Sequence, residues 1–174
     1  MSSLPPELLV LRHAKSSHAS GAASDFERPL APRGRRDAAR VGRWLAARGL
    51  RPDRAVASPS LRTRQTLERL QPYFRAPPET DFEPGLYLAT AEAILRRVKQ
   101  VPPGDPLMVI GHNPGIGELA ALLAGAGEPA ALDRLHQKFP TGALAVLRVA
   151  TKDWRELRPG AARLDALVFP RELD

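Results

Sequence analysis

The segment that decides the fold reads Leu8-Leu9-Val10-Leu11-Arg12-His13, four apolar residues followed by two polar ones. Similar apolar runs recur at residues 55–57, 107–110 and 144–147. Apolar runs without polar alternation are typical of strands that are buried on both faces, as in parallel sheets. The sequence therefore predicts that residues 8–11 form the first of several buried strands.

Segments with helical periodicity lie between these apolar runs. A helix is predicted from about residue 34 to residue 47, ended by Gly49. Another is predicted after Ser58, with Ser58 as the N-cap and Pro59 at the first helical position. Two further segments have the i, i+3, i+4, i+7 spacing of an amphipathic helix: Ala91, Ile94, Leu95 and Val98, and Ile116, Leu119, Ala120 and Leu123.

Strands that alternate with helices favour an α/β fold, here a three-layer α/β/α sandwich around a mostly parallel sheet. Residues 143–169 lack helix signals and are predicted to add antiparallel strands at one edge. Residues 16–32, rich in small and polar residues, are predicted to form a loop after the first strand. The length suits one compact domain, so we expect residues 1–174 to form a single domain.

The composition excludes several classes of protein. Cysteine is absent, which rules out disulfides, thiolate metal sites and a cysteine nucleophile. No stretch approaches the roughly 18 apolar residues that span a bilayer. The N-terminus has no basic region before a long apolar run, so neither a membrane protein nor a secretory signal is expected. These features suit a cytoplasmic protein.

The net charge of +7 raises the question of a nucleic-acid partner. The 26 basic residues are 22 arginines and 4 lysines, scattered rather than grouped in a tail. Arg33, Arg36, Arg40 and Arg43 share one face of the predicted helix. A solvated helix face explains that spacing as well as a ligand site does, and we expect no nucleic-acid partner.

Two of the four histidines follow predicted strands: His13 comes after the first, and His112 after residues 107–110. In an open α/β sheet, ligands bind outside the carboxyl ends of the strands, so both imidazoles are expected in one crevice. Arg12 precedes the first histidine, and Arg62 lies in the first turn of the helix after Ser58. Guanidinium groups match phosphate oxygens bidentately, and imidazole can attack phosphorus. The sequence therefore predicts a phosphate site.

Other interpretations of these residues are less consistent with the sequence. Two histidines could ligate a metal, but a third ligand is not evident and the flanking arginines would repel a cation. The glycines at 111, 115 and 117 follow a strand but do not match the dinucleotide-binding pattern. We therefore expect neither a metal nor an organic cofactor.

Three motifs resemble the histidine phosphatase superfamily, which includes the phosphoglycerate mutases. They are Leu11-Arg12-His13-Ala14, then residues 58–66 (SPSLRTRQT), then residues 109–114 (VIGHNP). Residues 12–16, 25–30, 33–38 and 139–143 are also similar to the short SixA branch of phosphohistidine phosphatases. With them the likeness reaches almost the whole chain, and it implies the phosphoglycerate mutase-like fold.

The resemblance implies roles for particular residues. His13 would attack phosphorus and carry the phosphoryl group. Arg12, Arg62 and His112 would bind its oxygens and stabilise the charge of the transition state. Arg28 is a candidate for the rim of the pocket. The motif register favours Arg62 over Arg64, and no metal would be needed.

The sequence departs from the family pattern at two places. Ala14 replaces the usual glycine, which matters where that position needs a positive φ. The general acid is not assigned: Glu83, one residue out of register before a tyrosine, competes with Asp25 and Glu27 in the loop after the first strand. The further alternative is that the protein supplies no acid.

The gaps between the motifs leave no room for a large capping insertion. An open crevice suits phosphohistidine on a protein, and together with the resemblance to the SixA branch it implies a metal-independent phosphatase of phosphohistidine proteins. One alternative is a hydrolase of a small phosphorylated metabolite. Another is a non-catalytic module that binds phosphate or phosphopeptides, which the unassigned acid keeps open.

Overall fold

A mixed sheet of seven strands forms the centre of the structure, a computed structural model in which residues 5–104 and 106–174 are described. The strand order across the sheet is β3-β2-β4-β1-β6-β7-β5. In chain order the strands are β1 (Glu7–Arg12), β2 (Arg54–Ala57), β3 (Glu79–Phe82), β4 (Leu107–Gly111), β5 (Ala124–Gly127), β6 (Leu144–Val149) and β7 (Ala162–Val168).

The strand pairing is mostly parallel, as the sequence predicts. β1 pairs with β4, β4 with β2, and β2 with β3, all in parallel. β6 is antiparallel to both β1 and β7, which confirms antiparallel strands near the C-terminus. All four predicted strand segments lie within observed strands.

The antiparallel strands β6 and β7 lie toward one edge of the sheet, as the sequence predicts, but the sequence does not predict the outermost strand there. β6 lies inside the sheet beside β1, and the edge is β5, which pairs in parallel with β7. The β5 sequence, Ala-Gly-Ala-Gly, has no β-branched or aromatic residue to indicate a strand. A Cβ at Gly125 would lie 2.1 Å from the Gly160 carbonyl oxygen, so close backbone approach selects glycine there.

Helices cover both faces of this sheet, so the predicted three-layer α/β/α sandwich is confirmed. The helices are α1 (Pro32–Ala47), α2 (Leu61–Leu70), α3 (Ala91–Val98), α4 (Gly115–Leu123) and α5 (Pro129–Gln137). Apolar residues of α1 and α2 pack on one face, with Val41, Leu45 and Leu67 in its core. The other face is covered by α3, α4 and α5. No helix of the described residues is long and apolar enough to cross a membrane.

The start of α2 lies two residues beyond the predicted one. α2 begins at Leu61 after Ser60, so Ser58 is not its N-cap and Pro59 lies outside the helix. The Ser58 hydroxyl is in contact with His112 Nε2 at 2.7 Å and also accepts from the Ser60 amide at 3.3 Å. α4 begins at Gly115, one residue after Pro114, whose preceding peptide bond is cis. The end of α1 agrees with the prediction, because Gly49 follows with φ of +69°.

The connection between β1 and α1 is a loop with local structure of its own. Residues Asp25–Glu27 form a short 3₁₀ turn, and Ser16 forms an isolated bridge with Leu30. These contacts hold the loop over the carboxyl end of β1, so it borders any crevice at that end of the sheet.

Candidate active site

The ends of three neighbouring parallel strands bring the predicted residues together. His13 follows β1, Ser58 follows β2 and His112 follows β4. The His13 amide donates to the Gly111 carbonyl at 3.1 Å, and the Ser58 amide donates to the Ile110 carbonyl at 3.1 Å. Both imidazoles are almost fully buried, and their ring centroids are 5.1 Å apart. This confirms that they share one crevice at the carboxyl edge of the sheet.

The hydrogen bonds of His13 define its tautomer. Nδ1 lies 2.8 Å from the Ala14 carbonyl oxygen, which can only accept, so Nδ1 carries the proton. Nε2 is therefore unprotonated, and its lone pair accepts a hydrogen bond from Arg62 Nε at 3.4 Å. Burial lowers the pKa of His13 to about 3, with smaller contributions from His112 and the nearby arginines. The imidazole is neutral near pH 7, as a nucleophile must be.

The turn at residues 139–142 holds His13 and Arg12 in place. The Gly142 amide donates to the His13 carbonyl at 2.9 Å. The Phe139 carbonyl accepts from Arg12 Nη1 at 3.2 Å and from the Asn113 side-chain amide at 2.7 Å. Gly142 has φ of +76°, a conformation that favours glycine.

His112 is the neutral partner of two other groups. Its Nδ1 lies 3.2 Å from Arg62 Nη2, which can only donate, so in this arrangement Nδ1 accepts and Nε2 carries the proton. Nε2 lies 2.7 Å from the Ser58 hydroxyl oxygen. Burial, and then the charge of Arg62, lower the pKa of His112 to about 4.

Arg62, in the first turn of α2, is at the centre of the cluster. Its side chain is 3% exposed, and it donates to both histidines. It also donates to Asp25, at 2.7 Å to the carbonyl oxygen and 3.0 Å to the carboxylate. The neighbouring Arg64 is exposed, and Arg62 is the one of the two that contacts both histidines.

Arg12 lies half-buried beside this cluster. Among the described residues, its Nε is a buried donor without a hydrogen-bond partner. Burial, and then the charge of Arg62, lower the pKa of Arg12. An anion between the two guanidiniums would satisfy the Nε donor and relieve their repulsion.

Two residues that sequence reasoning did not place together, Asp25 and Tyr87, complete the cluster. The Tyr87 hydroxyl donates to the Asp25 carboxylate, and the Tyr87 ring lies edge-on to His112 with centroids 5.3 Å apart. That hydrogen bond, with those from Arg28 and Arg62, holds the pKa of Asp25 well below its usual range. The same contact raises the pKa of Tyr87. The sequence indicated Tyr87 only as the register mark beside Glu83, and its place at the site depends on the turn after β3.

The other candidate residues for the pocket rim and the general acid differ in how they contact the site. Arg28 reaches the site through Asp25, to which its Nε donates at 3.0 Å, and it also donates to Ser16. Glu83 points its carboxylate at Arg97, with 2.8 Å between Oε1 and Nε, and not at the histidines. The Glu27 side chain is exposed and has no hydrogen bond or ion pair with any described residue. Asp25 is thus the candidate acid that contacts the cluster.

Ala14, in place of the family's glycine, fits without strain. Among the described residues, Leu88 is the non-glycine residue with a positive φ, so Ala14 needs no glycine conformation. The Ala14 methyl group is buried against Leu30 and Ala38, and its amide donates to Thr66 at 3.0 Å. Alanine at this position therefore adds packing between the site loop and α1.

The arrangement is suited to an anion with several oxygens. Two guanidiniums can surround it, and a lone pair on His13 Nε2 faces the same space. Within the described residues, no group of three or more His, Asp or Glu side chains could hold one metal ion.

Known proteins are similar to this chain in sequence and in fold. The histidine phosphatase superfamily (branch 1) matches residues 8–86. The uncharacterized protein Rv1276c of Mycobacterium tuberculosis is 40% identical over 166 residues, which cover 92% of this chain and 100% of that protein. A structure from Nakamurella multipartitia, assigned as the phosphohistidine phosphatase SixA, is 31% identical with a TM-score of 0.80, covering 98% of this chain and 99% of that one.

A third relative is the phosphohistidine phosphatase SixA of Escherichia coli. It is 28% identical over 126 residues, which cover 71% of this chain and 77% of that protein. Both the sequence match and the structural match include the strand and loop that carry Arg12 and His13. The chain belongs to the histidine phosphatase superfamily, within which it is similar to the SixA branch.

Proposed function

We propose that this protein is a phosphatase that removes the phosphoryl group from phosphohistidine on proteins, through a covalent intermediate on His13. The observation that carries the proposal is the neutral His13 imidazole, whose Nε2 lone pair faces Arg62 and His112 while Nδ1 donates to a backbone carbonyl. The likeness to SixA proteins supports phosphohistidine as the substrate class.

Substrate binding begins with displacement of Asp25. Its carbonyl and carboxylate oxygens accept the two Arg62 N–H groups that a phosphoryl group needs. A phosphoryl group carries more charge and more oxygens than one carboxylate, so it competes well for Arg62 and also engages Arg12. Asp25 lies in the exposed 3₁₀ turn of the loop between β1 and α1, so it can move with little disturbance of the core.

Phosphoryl transfer then proceeds in two steps. His13 Nε2 forms a bond to phosphorus while the N–P bond of the substrate breaks, and the departing imidazole takes a proton. The positive charge that develops on His13 is stabilised by the hydrogen bond from Nδ1 to the Ala14 carbonyl. Water next attacks phosphorus, the bond to His13 breaks, and inorganic phosphate leaves.

His112 and Ser58 can adjust their protons during this cycle. With Arg62 drawn to the phosphoryl group, His112 Nδ1 is free to carry the proton and donate to a phosphoryl oxygen. Its Nε2 would then accept from the Ser58 hydroxyl, which can act as donor or acceptor at the same 2.7 Å contact. Ser58 thus allows either tautomer without leaving a buried nitrogen unpaired.

Asp25 is the group that we assign to proton transfer. Once separated from Arg62 and placed next to a phosphoryl group, its carboxyl loses one of the contacts that lower its pKa and gains a neighbouring negative charge, so its pKa rises. It can then deliver a proton to the departing imidazole and later take one from the attacking water.

The proposal is tested by trapping the phosphoenzyme. Wild-type protein, mixed with a protein phosphorylated on histidine with ³²P-labelled phosphoramidate and quenched in denaturant, should carry an acid-labile, alkali-stable label. His13→Ala should carry no label and hydrolyse no substrate. His136→Ala, which alters an exposed histidine on α5, is the matched control and should behave as wild type.

The same assay addresses the alternatives. Faster turnover of small phosphate monoesters than of phosphohistidine would favour a metabolite phosphatase. Binding of phosphate without any labelled protein would favour the non-catalytic module. Full activity of His13→Ala would contradict the proposed nucleophile.

A further inference from the structure

The net positive charge of the chain is concentrated in one segment. Residues 32–75, which contain α1 and α2, include 12 arginines, no lysine and three carboxylates, a net charge of +9. The whole chain carries +7, so all the other residues together sum to −2. A general compositional preference for arginine would spread the charge along the chain, whereas here it lies in the helical layer on one face of the sheet.

Most of the exposed arginines of this layer lack a carboxylate partner. Arg36, Arg51, Arg64, Arg69 and Arg75 are exposed and form no ion pair or side-chain hydrogen bond with any described residue. By contrast, most arginines of the last third of the chain are ion-paired: Arg134, Arg148, Arg155 and Arg163. The unpaired charges are thus a property of the layer formed by α1 and α2.

The arginines of α1 form a band that runs toward the turn after α2. Arg36, Arg40 and Arg43 lie on one face of α1, at i, i+4 and i+7. Arg43 donates to the Tyr73 hydroxyl at 3.2 Å, so this row faces the turn that follows α2. Tyr73 lines a surface depression of about 410 Å³ together with Arg51, Phe74 and Arg75.

The band begins close to the phosphate site. The first turn of α1 packs on the segment after His13, since a Cβ at Gly34 would lie 2.0 Å from the Lys15 carbonyl oxygen. Lys15 and Arg64, two exposed cations without side-chain ion pairs among the described residues, stand at that end. From there the α1 row leads away from the site toward the depression beside Tyr73.

We propose that this band, defined by Arg36, Arg43, Arg51, Arg75 and Tyr73, is the docking surface for an acidic face of the phosphorylated protein substrate. The inference rests on the proposed function, because it names the part of the substrate beyond the phosphoryl group. Guanidinium forks bind carboxylates bidentately, and the half-buried ring of Tyr73 supplies an aromatic contact in the depression. Opposite charge on the partner would both orient the phosphohistidine and speed the encounter.

The carboxylates within the layer favour a protein over a nucleic acid. Asp37 pairs with Arg33 and Arg40 inside the α1 row, and Glu68 is exposed on α2. These two carboxylates lie among the arginines, so the positive charge of the surface is not continuous. Separate guanidiniums fit discrete acidic side chains better than an uninterrupted phosphate backbone.

The test compares kcat/KM on two substrates: free phosphohistidine, and a small acidic protein with one surface histidine that has been phosphorylated with potassium phosphoramidate. Arg36→Glu/Arg51→Glu/Arg75→Glu should lower kcat/KM on the acidic phosphoprotein about tenfold or more. Turnover of free phosphohistidine should not change, which also shows that the variant is folded. The wild-type rate on the phosphoprotein should fall as ionic strength rises, and the variant should lose this dependence.

A matched control reverses three other exposed cations, Arg96→Glu/Lys152→Glu/Arg158→Glu, on α3 and the loops beyond β6. This control variant should have the wild-type kcat/KM on both substrates. If the glutamate variant does not fold, the corresponding glutamine variant should give a smaller loss in the same direction.

Several outcomes would overturn the docking surface. They are an unchanged rate on the acidic phosphoprotein, an equal loss in the control variant, or tight salt-sensitive binding of a DNA duplex by the band with no effect on phosphoprotein turnover. If the wild-type protein hydrolyses neither free phosphohistidine nor the acidic phosphoprotein, the proposed function fails instead. The band is then tested by binding of the acidic phosphoprotein to His13→Ala: weaker binding on reversing the band supports it, and unchanged binding overturns it.

Discussion

Replacement of Asp25 by asparagine should tighten the binding of inorganic phosphate. In the unliganded site the Asp25 carboxylate accepts from Arg62 Nη2 at 3.0 Å and from the Tyr87 hydroxyl, so phosphate must displace it. An asparagine at this position would retain the shape of the side chain but would compete for Arg62 without a negative charge. The substitution would also remove the repulsion between the carboxylate and the incoming anion.

The size of the gain in phosphate affinity depends on how exposed Arg62 and Asp25 are to solvent. A hydrogen bond to a charged group contributes about 1.5–3 kcal/mol when it is buried. The Arg62 side chain is 3% exposed, but that of Asp25 is 48% exposed, so solvent screening reduces the contribution. We take about 1 kcal/mol, which corresponds to about a fivefold lower Kd for phosphate.

The assay is titration calorimetry with inorganic phosphate, together with kcat on phosphohistidine. Asp25→Asn should bind phosphate more tightly while kcat falls, because the same carboxylate is the group that we assign to proton transfer. Asp133→Asn, which alters an exposed carboxylate on α5, should change neither quantity. Weaker or unchanged phosphate binding in Asp25→Asn would refute the idea that the carboxylate occupies the phosphate position.

Two more predictions concern the buried imidazoles. Ser58→Ala should lower kcat about tenfold with little change in KM, since His112 Nε2 loses its 2.7 Å partner, and should destabilise the fold by about 1–3 kcal/mol. Steady-state kinetics and chemical denaturation measure both effects, and wild-type kcat would contradict a role for the hydroxyl in positioning His112. The pH dependence of stability should reflect His13 and His112, whose pKa values fall to about 3 and about 4 from an ordinary value of 6.5. Between the lowered and the ordinary values the unfolded chain binds more protons than the folded one, so the free energy of unfolding should decrease as pH falls below about 6.5. Thermal melts should show a weaker decrease over this range for His13→Gln/His112→Gln, and an unaltered profile would count against the lowered pKa values.

Local pattern in the sequence is enough to predict those parts of the fold that depend on local burial. The apolar runs of β1, β2, β4 and β6 are strands because each is buried on both faces, and burial on both faces requires successive apolar residues. The amphipathic spacing of α3 and α4 predicts helices with one buried side. By contrast, β5 has no pattern of its own, since small glycine-rich segments become strands only where a neighbouring backbone can approach.

The candidate acid shows why another part of the site could not be predicted from sequence. Glu83 lies nearer in sequence to the tyrosine of the expected pattern, but Arg97 holds its carboxylate away from the histidines. Asp25 comes from a loop that has no periodic pattern, and 62 residues separate it from Tyr87, to which it is hydrogen-bonded. Which carboxylate meets the cluster therefore depends on how two loops pack, and not on either loop alone.

The order of strands and helices along the chain was sufficient to bring His13, Arg62 and His112 to one place, because each strand of a parallel sheet delivers its last residues to the same edge. The protonation of these residues, and the groups that surround them, depend instead on the folded structure. Burial makes both imidazoles neutral, and a backbone carbonyl fixes the proton of His13. Asp25 is hydrogen-bonded to Arg62, the arginine that we propose binds the phosphoryl group. These properties arise from distances between residues far apart in the chain, which no local pattern encodes.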